Sequence, residues 1–266
     1  MNRQSLVEQI RQKKSYLCIG LDTDIKKIPI HLLNEPDPVF SFNKAIIDAT
    51  SDLCVSYKIN TAFYESMGVK GWETLEKTVQ YIPDELFTIA DAKRGDIGNT
   101  AAQYAKTFFE VYGFDAITVN PYMGEDSVRP FLEYDDKWTI VLGLTSNPGA
   151  ADFELLKLDH HYLYERVIQT SMKWGSPENL MYVIGATQSH LFSDIRKFCA
   201  DHFFLVPGVG TQGGDLQQIS AHALNKDIGV FVNVSRAVIY ASDKENYARE
   251  GRSIACQLQQ NMLTYF

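Results

Sequence analysis

The stretch that decides the fold runs from residue 87 to residue 120 and reads FTIADAKRGDIGNTAAQYAKTFFEVYGFDAITVN. It contains a short apolar run at 87–91, a helical pattern over 100–112 and a second apolar run at 116–120. Brief, continuously apolar strands separated by an amphipathic helix are typical of a βαβ unit, in which both strands lie parallel in a sheet that is covered on both faces.

The same unit recurs along the whole chain. Candidate strands lie at 16–21, 55–60, 87–91, 116–120, 138–144, 181–186, 203–207 and 229–234. Helical patterns lie at 38–53, 72–81, 100–112, 162–174, 193–201, 215–223 and 246–262, and the polar segment 1–14 predicts a helix before the first strand. Eightfold alternation favours an α/β fold of the closed (β/α)₈ type, a TIM barrel. An open sheet is disfavoured because the residues after the first strand, GLDTD at 20–24, are not a Gly-rich nucleotide fingerprint. We expect a single domain over residues 1–266, since such barrels use about 250 residues.

Composition restricts the classes of function. The chain carries a net charge of −8 with a pI near 5.3, which argues against binding to nucleic acid or to an anionic membrane surface. Its N-terminal segment is not a signal peptide, and no run approaches the ~18 apolar residues of a membrane span. The four cysteines are far apart and lack zinc-site spacing, as expected for reduced thiols. We therefore expect a cytoplasmic protein that has no nucleic-acid or membrane partner.

Polar residues collect just after the ends of the predicted strands. They are Asp22, Lys58, Asp91 with Lys93, Asn120, Ser146, Gln188, Gln212 and Arg236. In a barrel these positions converge on the C-terminal face, where active sites lie. Strand residues two apart point the same way, so Asp91 and Lys93 should share a face, and Lys58 lies on the neighbouring strand.

An isolated Asp-x-Lys is more simply a structural ion pair. Here the strand continues to a second carboxylate, Asp96, and to Thr100, which we expect to start the helix. Two lysines and two carboxylates on adjacent strand ends favour a catalytic site. Asn60 and Glu65, close to Lys58 in sequence, are interpreted as capping or solvated side chains.

A second group of residues predicts a phosphate site. Glycines at 208, 210, 213 and 214 let backbone N–H groups approach an anion closely. Gln212 adds a neutral donor, and Arg236 can bind phosphate oxygens in a two-pronged manner. In a barrel, the loops after strands seven and eight are the usual place for a phosphate.

Residues 91–100, DAKRGDIGNT, resemble the D-x-K-x-x-D-I-x-x-T signature of the orotidine 5'-monophosphate decarboxylase family. Their sequence is most similar to the type 2 branch of that family. The resemblance continues at successive strand ends in GLD at 20–22, YK at 57–58, TSNPGA at 145–150, PGVGTQGGD at 207–215 and NVSR at 233–236. It implies a TIM-barrel carboxy-lyase that converts orotidine 5'-phosphate to UMP in pyrimidine biosynthesis, with no metal and no cofactor.

The resemblance also implies roles for individual residues. Lys93 would donate a proton to the ring carbon, Asp91 would sit against the departing carboxylate, and Lys58 would orient Asp91 and contact the ribose. Asp22 would accept hydrogen bonds from ribose hydroxyls, and Ser146 would bind the pyrimidine amide edge.

Phosphate binding and assembly follow from the same resemblance. Gln212, Arg236 and the backbone N–H of Ser235 would bind the phosphate, although many relatives have Gly where Ser235 stands. Family members are dimers with shared active sites, so a homodimer is expected in which Asp96 and Thr100 reach into the partner's site.

Two other functions are compatible with parts of the pattern. One is a barrel enzyme that decarboxylates or condenses keto-sugar phosphates through a Mg²⁺-bound enediolate, but such enzymes place a carboxylate where Lys58 stands, and a cation there repels the metal. The other is a non-catalytic barrel that binds a nucleotide phosphate, which the full set of charged residues disfavours. His160 and His161 do not form a metal site, because adjacent side chains point in different directions.

Overall fold

A computed structural model of the chain describes residues 1–210 and 214–266. Eight parallel strands form a closed barrel in which each strand pairs with its neighbours in sequence and the first pairs with the last. The strands are β1 (Leu17–Gly20), β2 (Ser56–Asn60), β3 (Phe87–Arg94), β4 (Ala116–Val119), β5 (Trp138–Leu144), β6 (Leu180–Ile184), β7 (Phe203–Pro207) and β8 (Val230–Val234). The predicted (β/α)₈ barrel is confirmed.

Helices surround the barrel. They are α1 (Arg3–Lys13), α2 (Pro38–Thr50), α3 (Ala62–Glu65), α4 (Val69–Tyr81), α5 (Gly98–Lys106), α6 (Glu125–Leu132), α7 (Leu163–Ser171), α8 (Phe192–Phe198), α9 (Leu216–Ala223), α10 (Arg236–Ile239) and α11 (Tyr247–Met262). A π-helical turn, Thr107–Val111, continues α5, and a short antiparallel pair joins Lys157–Leu158 to His161–Tyr162. Within the described residues, no helix has the length and apolar character needed to cross a membrane.

Several helices differ from the sequence-based expectation, among them α5 and the unpredicted helices α3, α6 and α10. Helix α5 begins at Gly98, so Thr100 lies in its first turn and the prediction that Thr100 starts the helix was wrong. Helix α6 was not predicted: it has eight residues, contains Pro130, and buries only Ser127, Val128 and Phe131, so its apolar pattern is short.

Large aromatic side chains fill the N-terminal end of the barrel. Phe87, Trp138, Phe203 and Phe231 are fully buried, and their ring centroids lie 5.3 to 6.3 Å apart. Three of them are the first residue of a strand. This aromatic floor closes one end of the barrel, so the barrel interior opens to solvent at the other end.

Candidate active site

The polar strand ends line one cavity of about 280 Å³ at the C-terminal mouth of the barrel. Its lining brings together seven residues that the sequence singled out: Asp22, Lys58, Asp91, Lys93, Ser146, Ser235 and Arg236. The described residues that line it do not include Asp96 or Thr100. Gln212, the remaining predicted residue, lies outside the described parts of the chain.

Four of these side chains form a chain of alternating charge. Lys58 Nζ lies 3.1 Å from Asp22 Oδ1 and 2.9 Å from Asp91 Oδ2. Lys93 Nζ lies 2.5 Å from Asp91 Oδ1, so the Asp91 carboxylate is held between two ammonium groups. The Lys58 side chain is only 4% exposed, whereas that of Lys93 is 48% exposed and faces the cavity mouth.

Burial and charge act in opposite directions on this chain. Burial disfavours the charged form of Lys58, but Asp22 and Asp91 outweigh it, and the pKa of Lys58 is raised. Burial likewise disfavours the Asp91 carboxylate, but Lys58 and Lys93 outweigh it and hold the pKa of Asp91 well below its usual range. Both groups are therefore charged at neutral pH, which gives the cavity fixed charges.

The backbone at Lys93 departs from a regular strand. Ala90 pairs with Ile117 and Arg94 pairs with Val119, so β3 spans four positions where β4 spans two. Lys93 itself has a φ of 47°, the left-handed region that non-glycine residues rarely adopt. The side chains of Asp91 and Lys93 do meet as predicted, but strand alternation was the wrong reason, because the bulge redirects Lys93.

Thr118 on β4 is a site residue that the sequence analysis missed. Its side chain is fully buried, and its Oγ1 accepts the Lys93 backbone N–H at 2.9 Å and donates to Asp91 Oδ1 at 3.1 Å. A polar residue inside the apolar run at 116–119 was the available signal. Thr is common in strands, so its presence there did not indicate a site residue.

Arg94, next to Lys93, ties the end of β3 to two helical segments. Its Nη2 lies 2.7 Å from Glu65 Oε1, and its guanidinium stacks over Tyr104 and Phe108 at 5.2 and 5.3 Å. The interpretation of Glu65 as a solvated or capping residue was therefore wrong. Asn60 does cap, since its Oδ1 accepts the Ala62 N–H at 3.2 Å.

Ser146 follows β5 and packs closely on the end of β6. A Cβ on Gly185 would lie 2.3 Å from Ser146 Oγ, so the serine can occupy this position only because residue 185 has no side chain. Glu154 holds the preceding residue: its Oε2 accepts the Thr145 N–H at 2.6 Å, and its Oε1 lies 2.9 Å from the Thr145 hydroxyl. Sequence reasoning did not find Glu154.

Backbone hydrogen bonds join the two ends of the Gly-rich segment after β7. The Gly214 N–H donates to Gly208 O at 3.2 Å, and the Gly210 N–H donates to Gly214 O at 3.3 Å. Gly210 has a φ of 83°, which favours glycine and lets the chain turn there. Gly208 and Val209 border the same cavity as Arg236, as expected for the loops that follow strands seven and eight.

The ends of the first and last strands are joined beside this loop. The Ser235 hydroxyl donates to Gly20 O at 3.0 Å, and the Tyr240 hydroxyl donates to Asp22 O at 3.2 Å. Ser235 thus uses its side chain within the protein and keeps its place on the cavity wall. Within residues 1–210 and 214–266, the exposed Arg236 guanidinium makes no hydrogen bond or ion pair.

Asp96 and Thr100 follow the bulge and are not among the described residues that line the cavity. The Asp96 carboxylate accepts the N–H of the next residue, Ile97, at 2.8 Å, and Thr100 is exposed. Three apolar side chains near this loop are also exposed: Ile97 by 54%, Tyr122 by 83% and Met123 by 48%.

A closed parallel barrel with a chain of alternating charges at its mouth defines a (β/α)₈-barrel enzyme. The chain belongs to the orotidine 5'-phosphate decarboxylase / HUMPS family, whose family model matches residues 15–250. Proteins named orotidine 5'-phosphate decarboxylase are similar over nearly their whole length. Those from Bacteroides fragilis and Flavobacterium johnsoniae are 57% and 56% identical, and each alignment covers 98% of this chain and 97% of the relative. The solved structure of Leishmania donovani OMP decarboxylase is 34% identical with a TM-score of 0.82, and the alignment covers 98% of this chain and 99% of that one.

Proposed function

We propose that this chain decarboxylates orotidine 5'-phosphate to UMP without a metal ion or cofactor. The proposal rests chiefly on Lys58, a buried cation bound to Asp22 and Asp91 where the metal-dependent alternative needs a carboxylate. Each of those two carboxylates already accepts from an ammonium group, which leaves little negative charge to attract Mg²⁺. The names of relatives at 56–57% identity support the same reaction.

The reaction breaks the bond between a pyrimidine ring carbon and its carboxylate. Carbon dioxide leaves, the electron pair stays on the ring carbon, and a proton from Lys93 Nζ then bonds to that carbon. Because the carbanion has no π-system to delocalise it, catalysis must supply about 20 kcal/mol. The Lys93 ammonium stabilises the developing charge, and its exposure lets it regain a proton from solvent.

Asp91 contributes through its fixed negative charge. Two lysines keep Asp91 ionised. In the complex Asp91 lies against the substrate carboxylate, and the two negative charges repel each other. This repulsion disappears as the carboxylate becomes neutral carbon dioxide, so it favours the transition state over the bound substrate. Lys58 holds Asp91 in place throughout.

The rest of the cavity binds the nucleotide. Asp22 accepts hydrogen bonds from ribose hydroxyls beside Lys58, and Ser146 binds the pyrimidine edge. The phosphate binds to Arg236, Gln212 and the Ser235 N–H. Arg236 and Asp22 lie on the same wall because β8 pairs with β1.

The active protein is a homodimer with shared sites. Asp96 lies outside the lining of its own cavity and next to Ile97, which is exposed together with Tyr122 and Met123. These exposed apolar side chains suit contact with a second copy of the chain. From there Asp96 and Thr100 reach the partner's cavity and extend its charge chain. The enzyme works in the cytoplasm, a reducing compartment that suits its four unpaired cysteines.

The decisive measurement is UMP formation from orotidine 5'-phosphate after exhaustive treatment with a chelator. Full activity in the chelated protein is expected. Activity that is lost on chelation and restored by Mg²⁺ would favour the keto-sugar-phosphate chemistry, and nucleotide binding without any turnover would favour the non-catalytic barrel.

Shared sites are tested by mixing two inactive variants, Lys93→Ala and Asp96→Asn. In a mixed dimer one site has both changes and the other has neither. Random exchange of subunits should therefore restore about a quarter of the wild-type activity. A mixture that stays inactive after verified exchange would show that Asp96 acts in its own subunit.

A further inference from the structure

Thr118 closes a small ring of hydrogen bonds around the proposed proton donor. Lys93 reaches Asp91 Oδ1 directly through its Nζ at 2.5 Å. Its backbone N–H reaches the same oxygen through the Thr118 hydroxyl, by hydrogen bonds of 2.9 and 3.1 Å. The backbone N–H and the ammonium group of Lys93 are therefore both linked to one carboxylate oxygen of Asp91.

A hydroxyl can perform both parts of this link with a single atom. A threonine Oγ1 carries one hydrogen and two lone pairs, so it can accept from the Lys93 N–H while it donates to Asp91. The link is needed at the bulge in β3. There the Lys93 N–H has the Thr118 side chain as its acceptor, and Lys93 adopts a left-handed backbone conformation. A backbone held in a sparsely populated conformation persists only where its surroundings determine it.

We propose that Thr118 is a positioning residue for the decarboxylation. The inference rests on the proposed function. When Lys93 gives up its proton, the ammonium becomes a neutral amine and its hold on Asp91 weakens. The bond from Thr118 to Asp91 does not involve that charge, so it keeps the carboxylate and the Lys93 backbone in register until Lys93 is protonated again.

The neighbouring strand offers a matched control. Thr139 on β5 is fully buried like Thr118, and it pairs with Ile117, the residue before Thr118. Among the described residues, its Oγ1 has no hydrogen-bond partner. Thr139→Val therefore makes the same chemical change as Thr118→Val without removing a hydrogen bond, and Thr118→Ser keeps the hydroxyl while removing a methyl group.

Steady-state kinetics with orotidine 5'-phosphate should separate these variants. We expect Thr118→Val to lower kcat by about 10- to 100-fold, because a small displacement of a reacting group costs that much, and to change KM less than about threefold. Thr118→Ser should recover kcat to within about threefold of the wild type, and Thr139→Val should match the wild type.

Amide hydrogen exchange at Lys93 gives a readout that does not depend on turnover. Loss of the acceptor in Thr118→Val should speed this exchange by about five- to tenfold, the equivalent of one hydrogen bond, with no change in Thr139→Val. A kcat for Thr118→Val within twofold of the wild type, or an unchanged exchange rate, overturns the role of Thr118 while leaving the decarboxylation intact. A wild-type protein that forms no UMP overturns the proposed function instead, and the exchange rate alone then decides whether Thr118 holds Lys93.

Discussion

Replacing Lys58 by methionine should destabilise the fold, because it removes a buried cation from two carboxylates. Lys58 Nζ lies 2.9 Å from Asp91 and 3.1 Å from Asp22, and its side chain is 4% exposed. At an effective dielectric constant of about 20, each contact is worth about 5 kcal/mol before the cost of burial is subtracted. Removing one partner of a buried pair typically costs about 3–5 kcal/mol. Because Lys93 and Thr118 still hold Asp91, we expect a loss of about 3 kcal/mol for Lys58→Met.

The pH dependence of this loss identifies its origin. In the wild type the pKa of Asp91 is depressed, so its ionisation stabilises the fold above the unfolded pKa of about 3.9 and ceases to do so as the pH falls through the folded value. The variant lacks part of that depression. The difference in unfolding free energy between the two proteins should therefore be full at pH 7 and shrink below about pH 4.

Urea denaturation at pH 7 and at about pH 3 measures both quantities. Lys197→Met is the control, since Lys197 is 75% exposed and, among residues 1–210 and 214–266, forms an ion pair only with Asp194 on its own helix. Its effect should stay within about 0.5 kcal/mol. A loss under 1 kcal/mol for Lys58→Met at pH 7, or a loss that does not change with pH, would refute the assignment of Lys58 as a buried structural cation.

Three further substitutions separate chemistry, binding and packing. Lys93→Ala removes a half-exposed side chain while Asp91 keeps its other ion pair, so stability should change by less than about 1 kcal/mol. UMP formation should fall by about 10⁴-fold with nucleotide binding still measurable by calorimetry, and near-normal turnover would contradict the role of Lys93. Arg236→Ala should raise KM by about 10- to 100-fold through loss of charged hydrogen bonds to the phosphate, and an unchanged KM would exclude that contact. Gly185→Ala places a methyl group 2.3 Å from Ser146 Oγ, so KM should rise as the serine is displaced, and wild-type kinetics would show that Ser146 does not bind the base.

The barrel and most of its mouth could be predicted because they depend on local patterns. The bounds of β5 and β7 match the predicted apolar runs at 138–144 and 203–207. The residue that follows a strand in a barrel must lie at the mouth whatever its neighbours are. This rule accounts for Asp22 and Arg236, whereas Lys58 lies within β2 and lines the same cavity from there.

Features that depend on two distant segments could not be predicted. The bulge at Lys93 reflects the register of β3 against β4, which neither strand encodes by itself. Arg94 and Glu65 are 29 residues apart, and their pairing depends on how α3 packs beside the end of β3. Thr118 acquires its role only once that bulge presents the Lys93 N–H to it.

The pairing of the first strand with the last has a consequence for how the protein is made. Leu17 pairs with Val232 and Ile19 with Val234. One edge of β1 therefore stays unpaired until nearly the whole chain has been synthesised. A nascent chain that stops before β8 carries two open sheet edges, which are prone to association with other chains. It also lacks Arg236, so the capacity to bind a nucleotide phosphate would report that the barrel has closed.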